Sequence, residues 1–200
     1  HIQATNTGLA SNVAAISVTS GRDILLGTAS ASATNITSNT SGAIRLQAAS
    51  NLNLKVNDNG NSNATTAVTA AGNLDFQAGA AIVRLDANPL NLVTGSGQAS
   101  LIAGSSIDTG ASITAPNDLT VSLAAGSSST VGLATATAGN LSLTATTGSL
   151  VSTGTLLAGQ GITLTAVSGI STKGVTASNG IISIISTGGT IVGAAKILRE

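Results

Sequence analysis

Three segments in the second half of the chain repeat one pattern and decide the fold: Gly139-Asn140-Leu141-Ser142-Leu143-Thr144-Ala145, Gly161-Ile162-Thr163-Leu164-Thr165-Ala166 and Gly180-Ile181-Ile182-Ser183-Ile184. Apolar and polar residues alternate within each segment, which is typical of a half-buried β-strand. Leu141, Ile162 and Ile182 align with a period of about 20 residues. Two further apolar tracks share this period: Leu150, Ile170 and Ile191, and Ala138, Ala158 and Ala177. Three tracks with one period predict three short strands in each repeat.

The repeat extends upstream with looser spacing. Leu119 precedes Leu141, and Leu101 precedes Val121, by nearly the same period. Farther upstream an apolar-x-apolar unit recurs at irregular steps, about 20 residues and then about 30 residues between like units. These units are Ile24-Leu25-Leu26, Ile44-Arg45-Leu46, Leu52-Asn53-Leu54 and Leu74-Asp75-Phe76. We therefore expect one continuous solenoid, part of a longer fibre, with irregular rungs and longer loops over 1–116 and regular rungs over 117–200. Loop excursions are expected at 28–41 and 57–71, which are rich in Asn, Ser, Thr and Gly.

These patterns predict an all-β fold, a right-handed parallel β-helix (solenoid) with three short strands per rung and about 20 residues per rung. Glu occurs once and Gly, Ser, Thr, Asn and β-branched residues dominate, which opposes helices. The strands are too short for a hairpin meander, so each strand is expected to pair with its counterpart one rung away. Rungs stack at about 4.8 Å, and roughly nine of them make a rod about 40 Å long.

Composition excludes several classes of function. Seven Lys and Arg residues balance seven Asp and Glu residues, so there is no basic surface for nucleic acid. The chain has no Cys and one His, His1, which opposes a zinc or copper site. No apolar run reaches the length that a membrane-spanning helix needs, roughly 18 residues or more, so we expect no membrane insertion. No cofactor is expected, and a terminal histidine is not expected to serve a Ser–His–Asp site.

The segments that begin at Gly139 and Gly161, together with Gly21-Arg22-Asp23-Ile24-Leu25-Leu26, resemble the repeats of filamentous haemagglutinin-like exoproteins. These are large adhesins of Gram-negative bacteria that leave the cell by two-partner secretion. The resemblance covers residues 117–194 well and 16–116 more loosely. It implies a triangular right-handed β-helix at the cell surface, with a host-cell or neighbouring-cell receptor or glycan as partner. Asn88-Pro89-Leu90 departs from the Asn-Pro-Asn type motif of the family's secretion domain. That departure places the residues in an adhesive shaft that presents a binding or toxin module.

The candidate functional face consists of outward Ser and Thr residues in two columns. One column should contain Thr120, Ser142, Thr163 and Ser183, and the other Ser122, Thr144 and Thr165 before it ends at Ile185. A regular array of hydroxyls and methyls resembles the ice-facing sheet of solenoid antifreeze proteins. The simpler interpretation, which we favour, is that short polar residues cover an outer face.

Three other features suggest alternatives. Asp75 and Asp86 flank Arg84 and could serve a carbohydrate-active β-helix, although solvated carboxylates at corners explain them more simply and we expect no enzyme activity. Gly188-Gly189 lacks the Gly and Asp that a calcium-binding nonapeptide repeat requires, so no metal site is expected. The apolar run from Ile181 to Ile185 would form an uncapped last rung, which predicts end-to-end self-association as a filament subunit.

Overall fold

A computed structural model gives the structure of the chain, and it describes residues 2–5, 8–10, 12–26, 35–54, 66–84, 90–108, 112–123, 129–193 and 195–197. These residues contain 25 β-strands, which pair in parallel, and no helix. Accordingly, no helix in the described ranges is long and apolar enough to cross a membrane. The predicted all-β class is confirmed.

The strands form three sheets. The first sheet contains β1 (Ile2–Ala4), β4 (Asn35–Ser38), β7 (Thr66–Ala70), β10 (Leu90–Thr94), β13 (Ser112–Ala115), β16 (Ala134–Ala136), β19 (Thr155–Ala158), β22 (Gly174–Ala177) and β25 (Ala195–Ile197). The second contains β2 (Ala14–Ser20), β5 (Ala43–Ala48), β8 (Leu74–Ala78), β11 (Ala99–Ala103), β14 (Leu119–Leu123), β17 (Leu141–Ala145), β20 (Ile162–Ala166) and β23 (Ile182–Ser186). The third contains β3 (Ile24–Leu26), β6 (Leu52–Leu54), β9 (Ala81–Arg84), β12 (Ser106–Asp108), β15 (Ser129–Val131), β18 (Ser149–Ser152), β21 (Gly169–Ser171) and β24 (Ile191–Val192).

Successive strands belong to the first, second and third sheet in turn, so each circuit of the chain adds one strand to every sheet. Each strand pairs in parallel with its counterpart in the next coil, as Leu141 does with Ile162 and Ile162 with Ile182. The predicted solenoid with three strands per rung is confirmed. Nine strands in the first sheet correspond to a rod about 40 Å long at the usual inter-strand spacing.

Coil length changes along the rod. Hydrogen bonds between neighbouring coils join residues 28, 30 and 25 positions apart in the first half, and residues 20, 22 and 21 apart later.

The irregular spacing of the upstream apolar-x-apolar units has a simple cause that the repeat pattern alone does not reveal. The unit at Ile24 pairs with the unit at Leu52 in the third sheet, whereas the unit at Ile44 pairs with the unit at Leu74 in the second. Ile24 and Ile44 therefore lie in different sheets, and the number of residues between them is not the length of one coil.

Two details of the predicted pattern are wrong. The expected loop segments 28–41 and 57–71 contain strands β4 and β7, while 28–34 and 57–65 lie outside the described residues. Ile36 and Val68 are fully buried, because alternate residues of these strands point into the core. In the alanine track, Ala136 rather than Ala138 pairs with Ala158.

The core is a slender stack of aliphatic side chains inside the coil. Every second residue of a strand points inward, so paired coils superimpose like residues in columns. Phe76, the only aromatic residue of the chain, is 1% exposed and is paired with Leu46 and Leu101. Burial of each such large side chain contributes about 1.5–3 kcal/mol.

Asn and Asp side chains link neighbouring coils at the corner between the first and second sheets. The backbone N–H of Asn140 donates to Oδ1 of Asp118 at 2.8 Å. One coil later, the backbone N–H of Gly161 donates to Oδ1 of Asn140 at 3.1 Å. In both cases the Asp or Asn side chain accepts a hydrogen bond from a backbone N–H at the corner of the next coil. At the corner the backbone leaves the sheets, so this N–H needs another acceptor.

Replacing Asn140 by alanine should lower the free energy of unfolding by about 1 kcal/mol, because the Gly161 N–H loses its acceptor. Urea denaturation followed by circular dichroism measures the change. Asn179→Ala is the matched control, since this exposed corner asparagine uses its backbone N–H to bond Gly159, and it should change stability by less than about 0.5 kcal/mol. Equal losses in both variants would show that the Asn140 side chain does not link the coils.

Asp23 makes a similar link at the corner between the second and third sheets. Its Oδ1 accepts hydrogen bonds from the backbone N–H of Asn51 at 2.8 Å and from the Asn51 side chain at 3.0 Å. The Asn51 backbone bond, followed by bonds from the Ser50 and Asn51 side chains, lowers the pKa of Asp23 below its ordinary value of 3.8. Because the folded pKa lies below the unfolded one, Asp23 stabilises the fold above pH 3.8, and this contribution is lost as the pH falls through the folded pKa.

The variant Asp23→Asn should therefore melt below the wild type at neutral pH, and the difference should disappear as the pH falls through the lowered pKa of folded Asp23. Melting curves recorded from neutral pH down to strong acid test this. The control is Asp108→Asn, which removes an exposed carboxylate of β12. A difference between wild type and Asp23→Asn that persists unchanged in strong acid would contradict the ionic role of Asp23.

Candidate functional site

The predicted Ser and Thr columns lie on the outer face of the second sheet. Thr120 pairs with Ser142, Ser142 with Thr163 and Thr163 with Ser183. Ser122 pairs with Thr144, Thr144 with Thr165 and Thr165 with Ile185. The register therefore aligns all seven candidate positions in two columns of the second sheet, and the side chains of Thr120 and Ser122 lie outside the described residues.

Regular spacing is the main property of this array. Thr163 is exposed, while Ser142, Thr144, Thr165 and Ser183 are half-buried. Neighbouring members of a column lie about 4.8 Å apart, and the two columns are about 6.6 Å apart along each strand. The array is therefore a narrow surface of regularly spaced Ser and Thr side chains, and its second column ends at the exposed apolar side chain of Ile185.

The first half of the same face has a different character. Arg45 pairs with Asp75 and Gln47 with Gln77 across β5 and β8. The guanidinium Nη2 of Arg45 lies 3.5 Å from Oδ2 of Asp75, and Nε2 of Gln47 donates to Oε1 of Gln77 at 3.2 Å. We call these four side chains the polar square. The sequence pattern singles out Asp75 as a candidate carboxylate but not the group of four. The sequence signal of the group is the pair Arg-x-Gln and Asp-x-Gln, one coil apart, which shows the same alternation as the other strands.

Two open depressions flank the Gln47–Gln77 pair. One, of 280 Å³, is lined by Arg45, Asp75, Ser100 and Ile102, by both glutamines and by Phe76, whose side chain is buried. The other, of 430 Å³, lies toward the corner and is lined by small residues and both glutamines: Thr19, Ser20, Gly21, Ala48, Ala49, Ala78 and Gly79. The Gln47–Gln77 pair therefore lies between two recesses, and Arg45 and Asp75 line the smaller of them.

A further threonine column, on the outer face of the first sheet, was also missed. The column runs through successive coils as Thr37, Thr69, Val93, Thr114, Thr135, Leu157 and Thr176. Its sequence signal is a Thr-Ala dipeptide at four strand ends: Thr69-Ala70, Thr114-Ala115, Thr135-Ala136 and Thr176-Ala177. In each dipeptide the alanine side chain is buried in the core and the threonine side chain faces outward. Columns of Ser or Thr therefore lie on the outer faces of the first and the second sheet.

The possible catalytic trio is not assembled on one face. Asp75 lies on the second sheet and is bonded to Arg45, whereas Arg84 ends a strand of the third sheet. Asp86 and His1 lie outside the described residues. Across the described ranges, no group of three or more His, Cys, Asp or Glu side chains could hold a metal ion.

The coil that contains β23 and β24 exposes large aliphatic side chains. Ile181 is 79% exposed, Ile185 48%, Ile191 51% and Val192 59%. Ile182 and Ile184 of β23 are half-buried against the core. The equivalent positions in the preceding coil, Ile162 and Leu164, are fully buried.

Comparison of the chain with protein-family models, curated proteins and solved structures gives no match. The coiled architecture and the residues on its faces therefore carry the functional argument. The likeness of the repeats to filamentous haemagglutinin-like exoproteins remains a resemblance of sequence pattern.

Proposed function

We propose that the chain is a structural and adhesive shaft segment of a secreted bacterial surface fibre, which holds a binding or toxin module away from the cell. The observation that supports this role is the continuous stacking of coils, in which the first sheet runs from β1 to β25 by parallel pairing. A solenoid lengthens by about 4.8 Å with every added coil, so its reach is set by the number of repeats. The role is mechanical and involves no reaction.

The resemblance of the repeats supports the location. Filamentous haemagglutinin-like exoproteins are exported unfolded by two-partner secretion and fold outside the outer membrane. The absence of Cys is compatible with such passage, since no disulfide has to form on the way. Folding of a repeat coil can proceed from one rung to the next, because each rung contacts only its neighbours.

Surface location is tested on intact bacteria that express the parent protein. An antibody raised against folded residues 1–200 should label intact cells, and external protease should remove the label. Labelling that requires cell lysis would contradict the proposed location.

The shaft role is tested by removing residues 141–161 from the parent fibre. This joins Asn140 to Ile162, which occupies the paired position of Leu141 in the next coil, so the remaining coils keep their register. We expect a secreted, folded fibre that is about 4.8 Å shorter and still binds its target. A folded and secreted fibre that loses all binding would show that this segment is itself the binding module.

Ice binding is a second candidate, favoured by the register that aligns the Ser and Thr columns. Thermal hysteresis of the purified chain measures it directly. Under this alternative, Thr163→Lys with Thr165→Lys should abolish hysteresis, whereas Thr135→Lys on the first sheet should preserve it. The shaft proposal predicts no hysteresis in the unaltered chain.

Self-association through a second copy is a third candidate, favoured by the exposed aliphatic residues around β23 and β24. In the isolated chain of residues 1–200, an edge strand offers unpaired backbone groups to another chain. A second copy stacked end to end would cover Ile191, whose counterpart in the preceding coil, Ile170, is buried. Light scattering against concentration measures the association. Ile182→Lys with Ile184→Lys should abolish it, and Ile102→Lys, an exposed control in mid-rod, should not. Association that is unchanged by the double substitution would rule out stacking at this end.

A further inference from the structure

The polar square brings four hydrogen-bonding side chains together in a chain that has few charged residues. Only 7% of the residues are charged, yet a guanidinium, a carboxylate and two amides meet on two neighbouring strands. In the later coils the corresponding positions carry Ser, Thr or Ile. The square thus distinguishes one stretch of the second sheet's outer face from the rest.

Stability does not explain the polar square. The side chains of Arg45 and Asp75 are 48% and 30% exposed, and ion pairs this open to water add little to folding. The Gln47–Gln77 bond is likewise exposed. These groups are therefore available to a ligand at small cost to the fold.

The chemistry of the four groups selects the ligand. A guanidinium donates hydrogen bonds, a carboxylate accepts them, and each amide does both. Hydroxyl groups also donate and accept, so neighbouring hydroxyls of a sugar can bond to the square from either recess. Because the charges of Arg45 and Asp75 compensate each other at 3.5 Å, the face offers no net attraction to an anion. The recesses on both sides give space for sugar units beside the Gln47–Gln77 pair.

We propose that the polar square and its two flanking recesses bind a neutral polysaccharide chain through its hydroxyl groups. The one aromatic side chain, Phe76, is buried in the core, so binding relies on hydrogen bonds without ring stacking. Each single site is therefore weak, and attachment gains strength when many fibres bind one polysaccharide together. The proposed polysaccharide site does not depend on the shaft role, because surface labelling and the deletion of one coil test the shaft role separately.

The test is nuclear magnetic resonance of the isotope-labelled chain, titrated with linear neutral oligosaccharides of glucose, mannose and galactose, and separately with dextran sulfate. At least one neutral series should shift the side-chain amide signals of Gln47 and Gln77 saturably. Gln47→Ala with Gln77→Ala should lower the affinity about tenfold or more, because two hydrogen-bonding groups are lost. Thr163→Ala with Thr165→Ala, on the same face, is the matched control and should bind as the wild type does.

Two results would overturn the proposal. The first is the absence of a saturable shift at the polar square with every neutral series, in a chain whose backbone spectrum shows it folded. The second is tighter binding of dextran sulfate than of any neutral oligosaccharide, which would make the square an anion site. Unchanged backbone signals of the core in the glutamine variant would show that its loss of binding is local.

Discussion

Replacing Phe76 by alanine should lower the free energy of unfolding by about 3–5 kcal/mol, among the largest effects of any single truncation in this chain. Phe76 is 1% exposed and stands in one column with Leu46 and Leu101. A slender coil has no second layer of side chains that could move into the space, so a cavity would persist between three coils. The melting temperature should fall by roughly 6–20 °C for a chain of this size.

The control for Phe76 is its neighbour Gln77, which points outward on the same strand. Gln77→Ala removes one exposed hydrogen bond and should change stability by about 1 kcal/mol or less. Thermal and urea denaturation of both variants measure the difference. Equal shifts in the two variants would mean that alternate residues of β8 do not face the core and the solvent as the structure has them.

Replacing Gly104 by alanine should also destabilise the rod, by about 1–3 kcal/mol or more. Gly104 turns the corner after β11, and its N–H donates to the carbonyl of Ala78 at 3.1 Å. A methyl group at Gly104 would overlap the carbonyl oxygen of Gly79 in the preceding coil. That oxygen belongs to the backbone, so it can retreat only if the stacked corner opens.

Gly21 provides a matched control at the same corner, in the first described coil. A methyl group at Gly21 meets no atom within 4 Å, so Gly21→Ala should be neutral or should stabilise by about 0.4–1 kcal/mol through the unfolded chain. Urea denaturation compares the two variants. If Gly104→Ala proved as harmless as Gly21→Ala, the close approach of coils at this corner would be wrong.

The coiled architecture could be predicted because its signal is local and repeated. Apolar and polar residues alternate over 141–144, which indicates a half-buried strand. Because this pattern recurs after about 20 residues, equivalent strands are expected to stack on one another. The same register places the Ser and Thr columns. The right hand of the coil rests on the general preference of parallel crossovers.

The features that could not be predicted from the sequence depend on which strands lie next to each other in the coil. An apolar-x-apolar unit looks the same on each of the three faces, so the sequence pattern makes Ile24 and Ile44 look like successive rungs although they belong to different sheets. The polar square and the Asp118–Asn140 link join residues 30 and 22 positions apart. Such pairs become visible only when the length of each coil is known. The close approach at Gly79 and Gly104 likewise depends on the backbone of another coil.

The coil itself is tested most directly by distances between pairs of spin labels. The chain has no Cys, so paired cysteines can be introduced at Ser17 with Ser142 and at Ser17 with Ser183. These residues share one outward column, five and seven coils apart along the sheet. Parallel stacking predicts distances of about 24 and 34 Å at about 4.8 Å per coil. A Ser17–Ser183 distance no longer than the Ser17–Ser142 distance would contradict the rod, as a folded-back sandwich of antiparallel sheets would require.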